Sequence, residues 1–344
     1  MVHLSSWRRA SMSPERQFQY ARPAVRFVCA DGEEQFEAVL DTVPLRSQGH
    51  ELVWYDGRPE DVDEWRSRLD GAAGVMLMWD IPAGVLSAVP SLRVISFAGS
   101  GAGSYVPLDE AARCGVTVCN VPSYGANAVA EHALALILAL ARRVCEGDRL
   151  VRGGRWSPGE LVGVELAGRR LGVVGAGPIG RRMVELGHAL GMRPTAWTRS
   201  PTSARAQALG APFVPLEQLF SESDVISLHL AHRPETERLV DARLLGLMQP
   251  HALLVNTARA QLVDTDALVA GLRDRRIGGA AVDAFEEEPL PAGHPLLAAP
   301  RLLLTPHVGF NTAEATAELV RLTLENLLAF AAGTPRNVCT PRPG

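Results

Sequence analysis

The sequence predicts an α/β protein built from two Rossmann-like domains, and three observations support this fold class. Short apolar runs typical of buried strands alternate with helical patterns from Ala24 onward, as in parallel sheets. One such run, 171–174, leads directly into a glycine-rich turn and then a helical pattern. The chain has 344 residues, 47% of them hydrophobic, which is enough for two cores of medium size.

Composition and charge exclude several classes of protein. The net charge of −4 and the absence of a basic tract give no reason to expect a nucleic-acid partner. The longest apolar run, 133–141, is too short to span a bilayer, so we expect no membrane partner. All 34 basic residues are arginine, which excludes Schiff-base and other lysine-dependent chemistry in this chain.

The five cysteines are odd in number and scattered, with no CxxC pair and no cluster with histidine. This pattern is typical of reduced, mostly buried thiols rather than of a disulfide framework or a zinc site. We therefore expect a cytoplasmic protein without a metal centre.

Domain boundaries follow from the alternation of strands and helices. Residues 1–22 carry arginines among polar residues with no apolar run, which predicts a disordered extension, with an over-long gene start or a targeting segment as alternatives. The first domain lacks a last helix to pack against its sheet, and an amphipathic helical pattern covers 313–330 at the end of the chain. We therefore expect the chain to return to the first domain after the second. One domain then comprises 23–124 plus 308–344, and the other comprises 125–307.

The pattern over 124–144 is apolar on almost every face of a helix. Such a helix is expected to be buried on all sides, between domains or between subunits. We therefore expect a homodimer.

The glycine-rich turn, Gly175-Ala176-Gly177-Pro178-Ile179-Gly180, has the spacing of a dinucleotide-binding turn. Gly175 allows a sharp turn, Gly177 allows a pyrophosphate to approach the backbone, and Gly180 allows helix to pack on strand. The phosphates would lie at the helix N-terminus. An ordinary glycine-rich turn and a methyltransferase loop remain as alternatives.

Three polar residues follow predicted strands of the second domain, where open parallel sheets bind ligands. They are Arg259, Glu288 and His307. Each also has a structural interpretation: His307 as a loop histidine, Arg259 as a partner of Asp264, and Glu288 as part of the solvated run 286–288.

Six motifs in one order carry a resemblance that extends from about Ala24 to the end of the chain. They are NAVAEHALALILAL from 127, the turn at 175–180, SDVISLHL from 223, LLVNTARAQLVD from 253, AVDAFEEEPLP from 281 and LLTPHVGF from 303. The sequence resembles the D-isomer-specific 2-hydroxyacid dehydrogenase family. The resemblance implies a flavodoxin-like substrate domain, a doubly wound NAD(P)-binding domain and an active site in the cleft between them.

By this resemblance His307 is the catalytic acid/base, Glu288 is the carboxylate that holds it, and Arg259 binds the substrate. Glu288 is chosen over its neighbours because the family's glutamate directly precedes a proline, here Pro289. The chemistry agrees: histidine titrates near neutral pH, a neighbouring carboxylate favours the imidazolium, and arginine offers a rigid fork for a carboxylate.

The resemblance also implies further contacts with the substrate and the cofactor. Backbone amides of Ser100 and Gly101 would bind the substrate carboxylate, with a flexible glycine turn as the alternative. Apart from the resemblance, Met78 and Trp79 lie at the end of the preceding predicted strand, so we expect them to line the substrate pocket. Cofactor contacts beyond the glycine turn would come from Val129, His229, Leu230, Thr257, Ala258, Asp283 and Gly309.

The end of the second predicted strand of this domain departs from an NAD-specific site. Such a site carries an acid about twenty residues beyond the glycines. This chain has Thr198, Arg199 and Ser200 there, which could bind a 2′-phosphate. The sequence thus favours NADP(H) slightly over NAD(H).

Together these features predict an NAD(P)-dependent D-2-hydroxyacid dehydrogenase that acts on a small 2-oxo or 2-hydroxy acid. The alternative is a catalytically weak, NAD(P)-sensing binding protein of the co-repressor type on the same fold. The intact arginine, glutamate and histidine favour the enzyme.

Overall fold

The computed structural model describes residues 25–340, apart from 38, 39, 41, 42 and 44, so the predicted extension over 1–22 lies outside the described residues. The described chain forms two compact units, one running up to Tyr124 and resuming at Thr312, the other comprising Gly125–Asn311. Each unit contains a parallel β-sheet with helices, which confirms the predicted α/β class.

The sheet of the first unit has five strands in the order β2-β1-β3-β4-β5, which is the flavodoxin-like order. Its strands are β1 (Arg26–Gly32), β2 (Glu51–Asp56), β3 (Gly74–Leu77), β4 (Val94–Phe97) and β5 (Thr117–Cys119). The helices along this part of the chain are α1 (Glu34–Glu37), α2 (Val62–Arg68), α3 (Val85–Ala88) and α4 (Leu108–Arg113). All neighbouring strands pair in parallel, because helical segments return the chain between them.

The last helix of the chain, Ala313–Ala331 (α12 in chain order), belongs to this first unit. Its buried face packs with strand residues such as Phe27 and Met76 in one apolar core. The amide of Asn326, which is fully buried, donates to the Asn120 carbonyl at 3.0 Å. Burial of this polar group is therefore compensated by hydrogen bonding.

The sheet of the second unit has the order β11-β10-β9-β8-β6-β7. Its strands are β6 (Arg170–Val174), β7 (Arg193–Trp197), β8 (Val225–Leu228), β9 (Leu253–Asn256), β10 (Gly279–Val282) and β11 (Leu302–Leu304). Its helices are α5 (Ala126–Ala141), α6 (Val144–Arg152), α7 (Pro178–Ala189), α8 (Ser203–Leu209), α9 (Leu216–Glu222), α10 (Ala242–Leu247) and α11 (Thr265–Arg273). Phe213 makes a single parallel bridge to Ala196, next to β7. The strand order reverses between β6 and β8, where such sheets bind ligands.

The apolar segment over 124–144 forms a helix that ends at Ala141, and α6 begins at Val144. Arg143 between them has a φ of 54°, in the left-handed region. One face of α5 packs into the core of the unit, whereas Leu138 is 37% exposed in the single chain. Within the described residues, no helix has the length and apolar character needed to cross a membrane.

A buried carboxyl group lies in β1 of the first unit. Asp31 is fully buried, and it accepts hydrogen bonds from the backbone amides of Met78 and Trp79 at 3.1 and 2.7 Å. Burial raises the pKa of Asp31 from 3.8 to about 6, and the two amides and the charge of Arg58 offset only part of this rise.

This raised pKa predicts a pH-dependent contribution to stability. Between pH 4 and 6 the folded state binds more protons at Asp31 than the unfolded state, so this contribution to the free energy of unfolding falls as pH rises through that window. The loss amounts to about 3 kcal/mol at 1.36 kcal/mol per pKa unit. We expect the difference in melting temperature, wild type minus Asp31→Asn, to decrease between pH 4.5 and pH 7. The exposed substitution Asp63→Asn should show no such trend; a pH-independent difference for Asp31→Asn would contradict the prediction.

Candidate active site

The predicted site residues of the second unit lie beyond the carboxyl ends of neighbouring strands. The glycine turn follows β6, His229 follows β8, Arg259 follows β9, Glu288 lies beyond β10, and His307 follows β11. Because these strands run parallel, their carboxyl ends share one edge of the sheet. The topology therefore brings all five positions to that edge.

The glycine turn has the shape that a dinucleotide requires. Gly175 has a φ of 114°, and a Cβ there would lie 2.3 Å from the His229 carbonyl oxygen. A Cβ on Gly180 would lie 1.9 Å from the Gly175 carbonyl oxygen, whereas one on Gly177 would meet nothing within 4 Å. Helix α7 begins at Pro178, so the amides of Ile179 and Gly180 have no acceptor within the helix. The turn thus offers open space beside amides that favour an anion.

Two buried polar atoms at this edge also fit a bound ligand. Among the described residues, His229 Nδ1 and Thr257 Oγ1 are buried without a hydrogen-bond partner. They follow β8 and β9, beside the reversal of strand order. Burial lowers the pKa of His229 to about 4, so its ring is neutral at physiological pH. Unpartnered buried groups are costly, and a polar ligand such as a dinucleotide would satisfy them.

The three residues after β7 are exposed or half-buried. Arg199 Nη1 lies 3.2 Å from Glu235 Oε2, and the Ser200 carbonyl accepts a hydrogen bond from Arg205 at 2.6 Å. Thr198 lies at the start of this turn. Glu235 is a carboxylate that sequence reasoning missed, because it comes from the loop after β8, far along the chain from Arg199.

His307 and Glu288 are in direct hydrogen-bond contact. His307 Nδ1 lies 2.8 and 3.0 Å from the two carboxylate oxygens of Glu288. Burial raises the pKa of Glu288, but hydrogen bonds from His307 and the Phe285 amide, with the charge of Arg259, outweigh it and hold the pKa below its usual value. Glu288 therefore engages the histidine and is not merely part of a solvated face. Because Nδ1 faces Glu288, Nε2 is the nitrogen that can exchange a proton with a substrate.

Arg259 extends from a turn that is fixed by a neighbouring side chain. The buried Asn256 donates to the Arg259 carbonyl at 2.8 Å and accepts from the Ala258 amide at 3.1 Å. In the described part of the chain, no carboxylate lies within ion-pair distance of the Arg259 guanidinium. The carboxylate of Asp264 instead caps α11 by accepting from the Ala267 amide at 2.9 Å. The alternative pairing with Asp264 is therefore not present.

Asp283 is 1% exposed at the end of β10 and accepts hydrogen bonds from the loop that follows β11. Burial raises its pKa, but bonds from His132, Thr305 and two backbone amides outweigh it and hold the pKa below its usual value. The carboxylate is thus ionised and well bound. Its Oδ2 accepts from the Gly309 amide at 2.8 Å, which leaves that oxygen a second lone pair.

The other predicted cofactor contacts lie in the same unit. Val129 is half-buried on α5, and Leu230 is half-buried just after β8. Ala258 lies in the turn that Asn256 fixes. Asn256 was missed because an asparagine at a strand end has no sequence signal that separates it from an ordinary turn residue.

The predicted substrate residues of the first unit follow β3 and β4. Ser100 is exposed in the loop after β4, with its carbonyl bonded to the Asn120 amide at 2.7 Å, and Gly101 is half-buried beside it. Met78 is buried in a core cluster. Trp79 is half-buried, its Nε1 has no partner among the described residues, and Arg58 lies 4.8 Å from its ring centroid.

The fold and the strand-end residues define a class, the dinucleotide-dependent oxidoreductases. Residues 134–309 match a family model described as D-isomer specific 2-hydroxyacid dehydrogenase, NAD binding domain. The chain belongs to this family. The predicted class, an NAD(P)-dependent oxidoreductase that acts on the CH–OH group of 2-hydroxy acids, is confirmed.

Curated relatives and solved structures agree with this assignment. The chain is 40% identical to a glyoxylate reductase from Aeropyrum pernix over 86% of this chain and 91% of that protein. It is 38% identical to a glyoxylate reductase from Pyrococcus furiosus over 75% of this chain and 78% of that protein. The apo-structure of D-lactate dehydrogenase from Escherichia coli has a TM-score of 0.80 at 31% identity, covering 91% of this chain and 99% of that chain. These findings favour the enzyme over a co-repressor-type sensor.

Proposed function

We propose that the enzyme reduces small 2-oxo acids of the glyoxylate type, with His307 as the general acid. The observation that carries the proposal is the His307–Glu288 pair, in which Nδ1 is held and Nε2 remains for proton transfer. The glyoxylate reductases among the relatives support a small substrate.

Each residue at the strand ends has a separate task. Arg259, whose guanidinium has no carboxylate partner among the described residues, binds the substrate carboxylate and polarises the ketone. Glu288 fixes the orientation of the imidazole and balances its positive charge. His307 Nε2 gives its proton to the carbonyl oxygen as that oxygen becomes an alkoxide. When bound, the reduced nicotinamide supplies the hydride.

The residues that would hold this cofactor are those with unsatisfied groups or open space. The glycine turn and the first amides of α7 would bind the pyrophosphate. His229 Nδ1 and Thr257 Oγ1 would bind polar groups along the dinucleotide. The spare lone pair of Asp283 Oδ2 would accept a hydrogen bond from the nicotinamide carboxamide. The assignment of Ser100, Gly101, Met78 and Trp79 to the substrate stays a prediction.

A reductase assay across 2-oxo acids of increasing side-chain size tests the proposal. Glyoxylate, hydroxypyruvate, pyruvate and a branched 2-oxo acid are each offered with NADPH and with NADH. We expect kcat/KM to be highest for the small members. Cofactor binding without turnover of any 2-oxo acid would contradict the proposal and favour the sensor.

We infer further that the cofactor is NADP(H). A carboxylate at the end of β7 would repel a 2′-phosphate, and Thr198 stands there instead. Arg199 and Ser200 supply a charge and a hydroxyl that a phosphate can use. Glu235, 3.2 Å from Arg199, competes with a 2′-phosphate for the same guanidinium and so weakens the preference for NADP(H).

Two substitutions test the choice of NADP(H), one expected to lower the preference for NADPH and the other to raise it. Arg199→Ala should lower kcat/KM for NADPH by about 10- to 100-fold and change that for NADH by less than about 3-fold, since one charge-assisted contact is lost. Glu235→Gln should raise the NADPH preference because it frees Arg199. Steady-state kinetics with both cofactors provide the measurement. A wild type that strongly prefers NADH, unchanged in Arg199→Ala, would overturn the inference.

We also propose that the protein forms a homodimer through the segment 138–164. Of the large hydrophobic side chains that are exposed in the described part of the chain, six lie in this segment. They are Leu138, Val144, Val151, Trp156, Val162 and Val164. Trp156 is 84% exposed and Val162 78% exposed, which is unfavourable for a chain that stays single in water.

The double substitution Trp156→Glu, Val162→Glu should convert the dimer into a monomer, because a second copy could no longer bury this surface without burying charge. Size-exclusion chromatography with light scattering measures the mass. Leu297→Glu, at a 54% exposed residue outside the segment, provides the matched control and should remain dimeric. A monomeric wild type would contradict the proposal.

A further inference from the structure

The loop that carries His307 is tied to the sheet by one buried carboxylate. Asp283 Oδ1 accepts from the Val308 amide at 3.0 Å, and Oδ2 accepts from the Gly309 amide at 2.8 Å. These two amides directly follow His307. Asp283 therefore fixes the backbone immediately after the proposed acid, independently of the Glu288 contact with the ring.

The side chains of Thr305 and His132 extend this hydrogen-bond network, and the direction of donation within it is fixed. Thr305 Oγ1 donates to Asp283 Oδ1 at 2.6 Å and lies 3.0 Å from His132 Nε2. Because the single hydroxyl hydrogen is directed to Asp283, the hydroxyl can only accept from His132. His132 Nε2, which also lies 3.4 Å from Asp283 Oδ1, must then carry a hydrogen. His132 therefore donates towards Thr305 and Asp283, and Thr305 donates to Asp283. Bonds in such a chain polarise and strengthen one another.

The backbone of His307 needs this support. His307 has a φ of 53°, in the left-handed region, and its amide donates to the Thr305 carbonyl at 3.0 Å. A histidine persists there only where the surroundings determine its conformation. Thr305 holds the loop before His307, and Asp283 holds it after. Gly309 permits the close approach, because a Cβ there would lie 2.9 Å from Asp283 Oδ2 and 3.4 Å from His132 Cδ2.

We propose that His132, acting through Thr305 and Asp283, is a positioning residue that sets the backbone from which His307 delivers its proton. The inference rests on the proposed role of His307. Glu288 orients the imidazole about its side-chain torsions, whereas this network fixes the point from which the side chain extends. The two constraints are separate, and both are needed to place Nε2.

Matched substitutions separate the hydrogen bonds from the shape of the side chains. His132→Leu and Thr305→Val remove the network, whereas His132→Gln and Thr305→Ser keep a donor and a hydroxyl. We expect the first pair to lower kcat by about 10- to 100-fold, the cost of a small misplacement of a catalytic group, with KM and the Kd for NADPH changed less than about 3-fold. The second pair should recover to within about 3-fold of the wild type.

His188→Leu, at an exposed histidine near the end of α7, is the control and should leave every constant unchanged. Circular dichroism and NADPH binding show whether each variant is folded. If Thr305→Val fails to fold, His132→Leu tests the proposal, since the His132 side chain is 21% exposed and its loss leaves the bond from Thr305 to Asp283 in place. Normal kcat in the folded His132→Leu variant would overturn the inference.

A double-mutant cycle distinguishes positioning of His307 from a general structural role. In a His307→Ala background, Thr305→Val should have no further effect on the residual rate, because the group that it positions is gone. The same fold-loss in both backgrounds would overturn the inference. Full activity of His307→Ala would instead overturn the proposed function. An inactive His307→Ala with normal Thr305→Val and His132→Leu variants would overturn the positioning role alone.

Discussion

Replacement of His307 by alanine is expected to lower kcat for 2-oxo acid reduction by about 10²- to 10⁴-fold, the range that a positioned general acid contributes. The Nδ1 contacts with Glu288 at 2.8 and 3.0 Å leave Nε2 to deliver the proton, and alanine offers no substitute. Cofactor affinity should stay within about 3-fold, since the glycine turn is untouched. Single-turnover kinetics with NADPH, together with fluorescence titration of NADPH, measure both quantities.

Two neighbouring glutamates provide the control for this prediction. Glu288→Gln should lower kcat by about 100-fold, because the amide cannot balance the imidazolium or accept through both oxygens. Glu287→Gln, at an exposed side chain one residue earlier, should have no effect. Equal losses in the two variants would show that the acidic run acts as a whole, against the specific His307–Glu288 pair.

Arg259 carries the second large expected effect. Arg259→Met should lower kcat/KM by about 10³-fold, because two charge-assisted hydrogen bonds to the substrate carboxylate are lost together. Arg259→Lys should recover only part of the loss, since an ammonium group is not a rigid fork. Initial rates across a range of glyoxylate concentrations separate KM from kcat.

The neighbouring Arg238 provides a matched control. It is also an arginine of the second unit, and its amide bonds to the Gln261 carbonyl at 2.7 Å, close in sequence to the Arg259 turn. Arg238→Met should leave kcat/KM unchanged. A fall as large as that of Arg259→Met would indicate a general loss of positive charge rather than loss of a specific contact.

The positions of the main site residues could be predicted because they depend on local patterns. Apolar runs locate the strands, parallel strands bring their carboxyl ends to one edge, and Arg259 and His307 follow such runs directly. The choice of Glu288 depended on its proline neighbour. The structure gives that choice a physical reason, since Glu288 makes the contact with His307.

The partners of these residues could not be predicted, because they come from distant parts of the chain. Glu235 beside Arg199 and His132 beside Thr305 are tertiary contacts without a sequence signal. Local backbone departures were missed for the same reason. The apolar pattern continues through Arg143, although the chain turns there and begins a new helix.

The return of α12 to the first unit has a consequence for biosynthesis. Leu319, Leu324 and Leu327 cover one face of a sheet whose first strand begins at Arg26. While the ribosome translates the contiguous second unit, that face carries Phe27 and Met76 without their final cover. The second unit can complete its core as soon as residue 311 emerges, whereas the first must wait for the last helix. We therefore expect nascent chains stalled before Ala313 to expose apolar surface that is prone to aggregation.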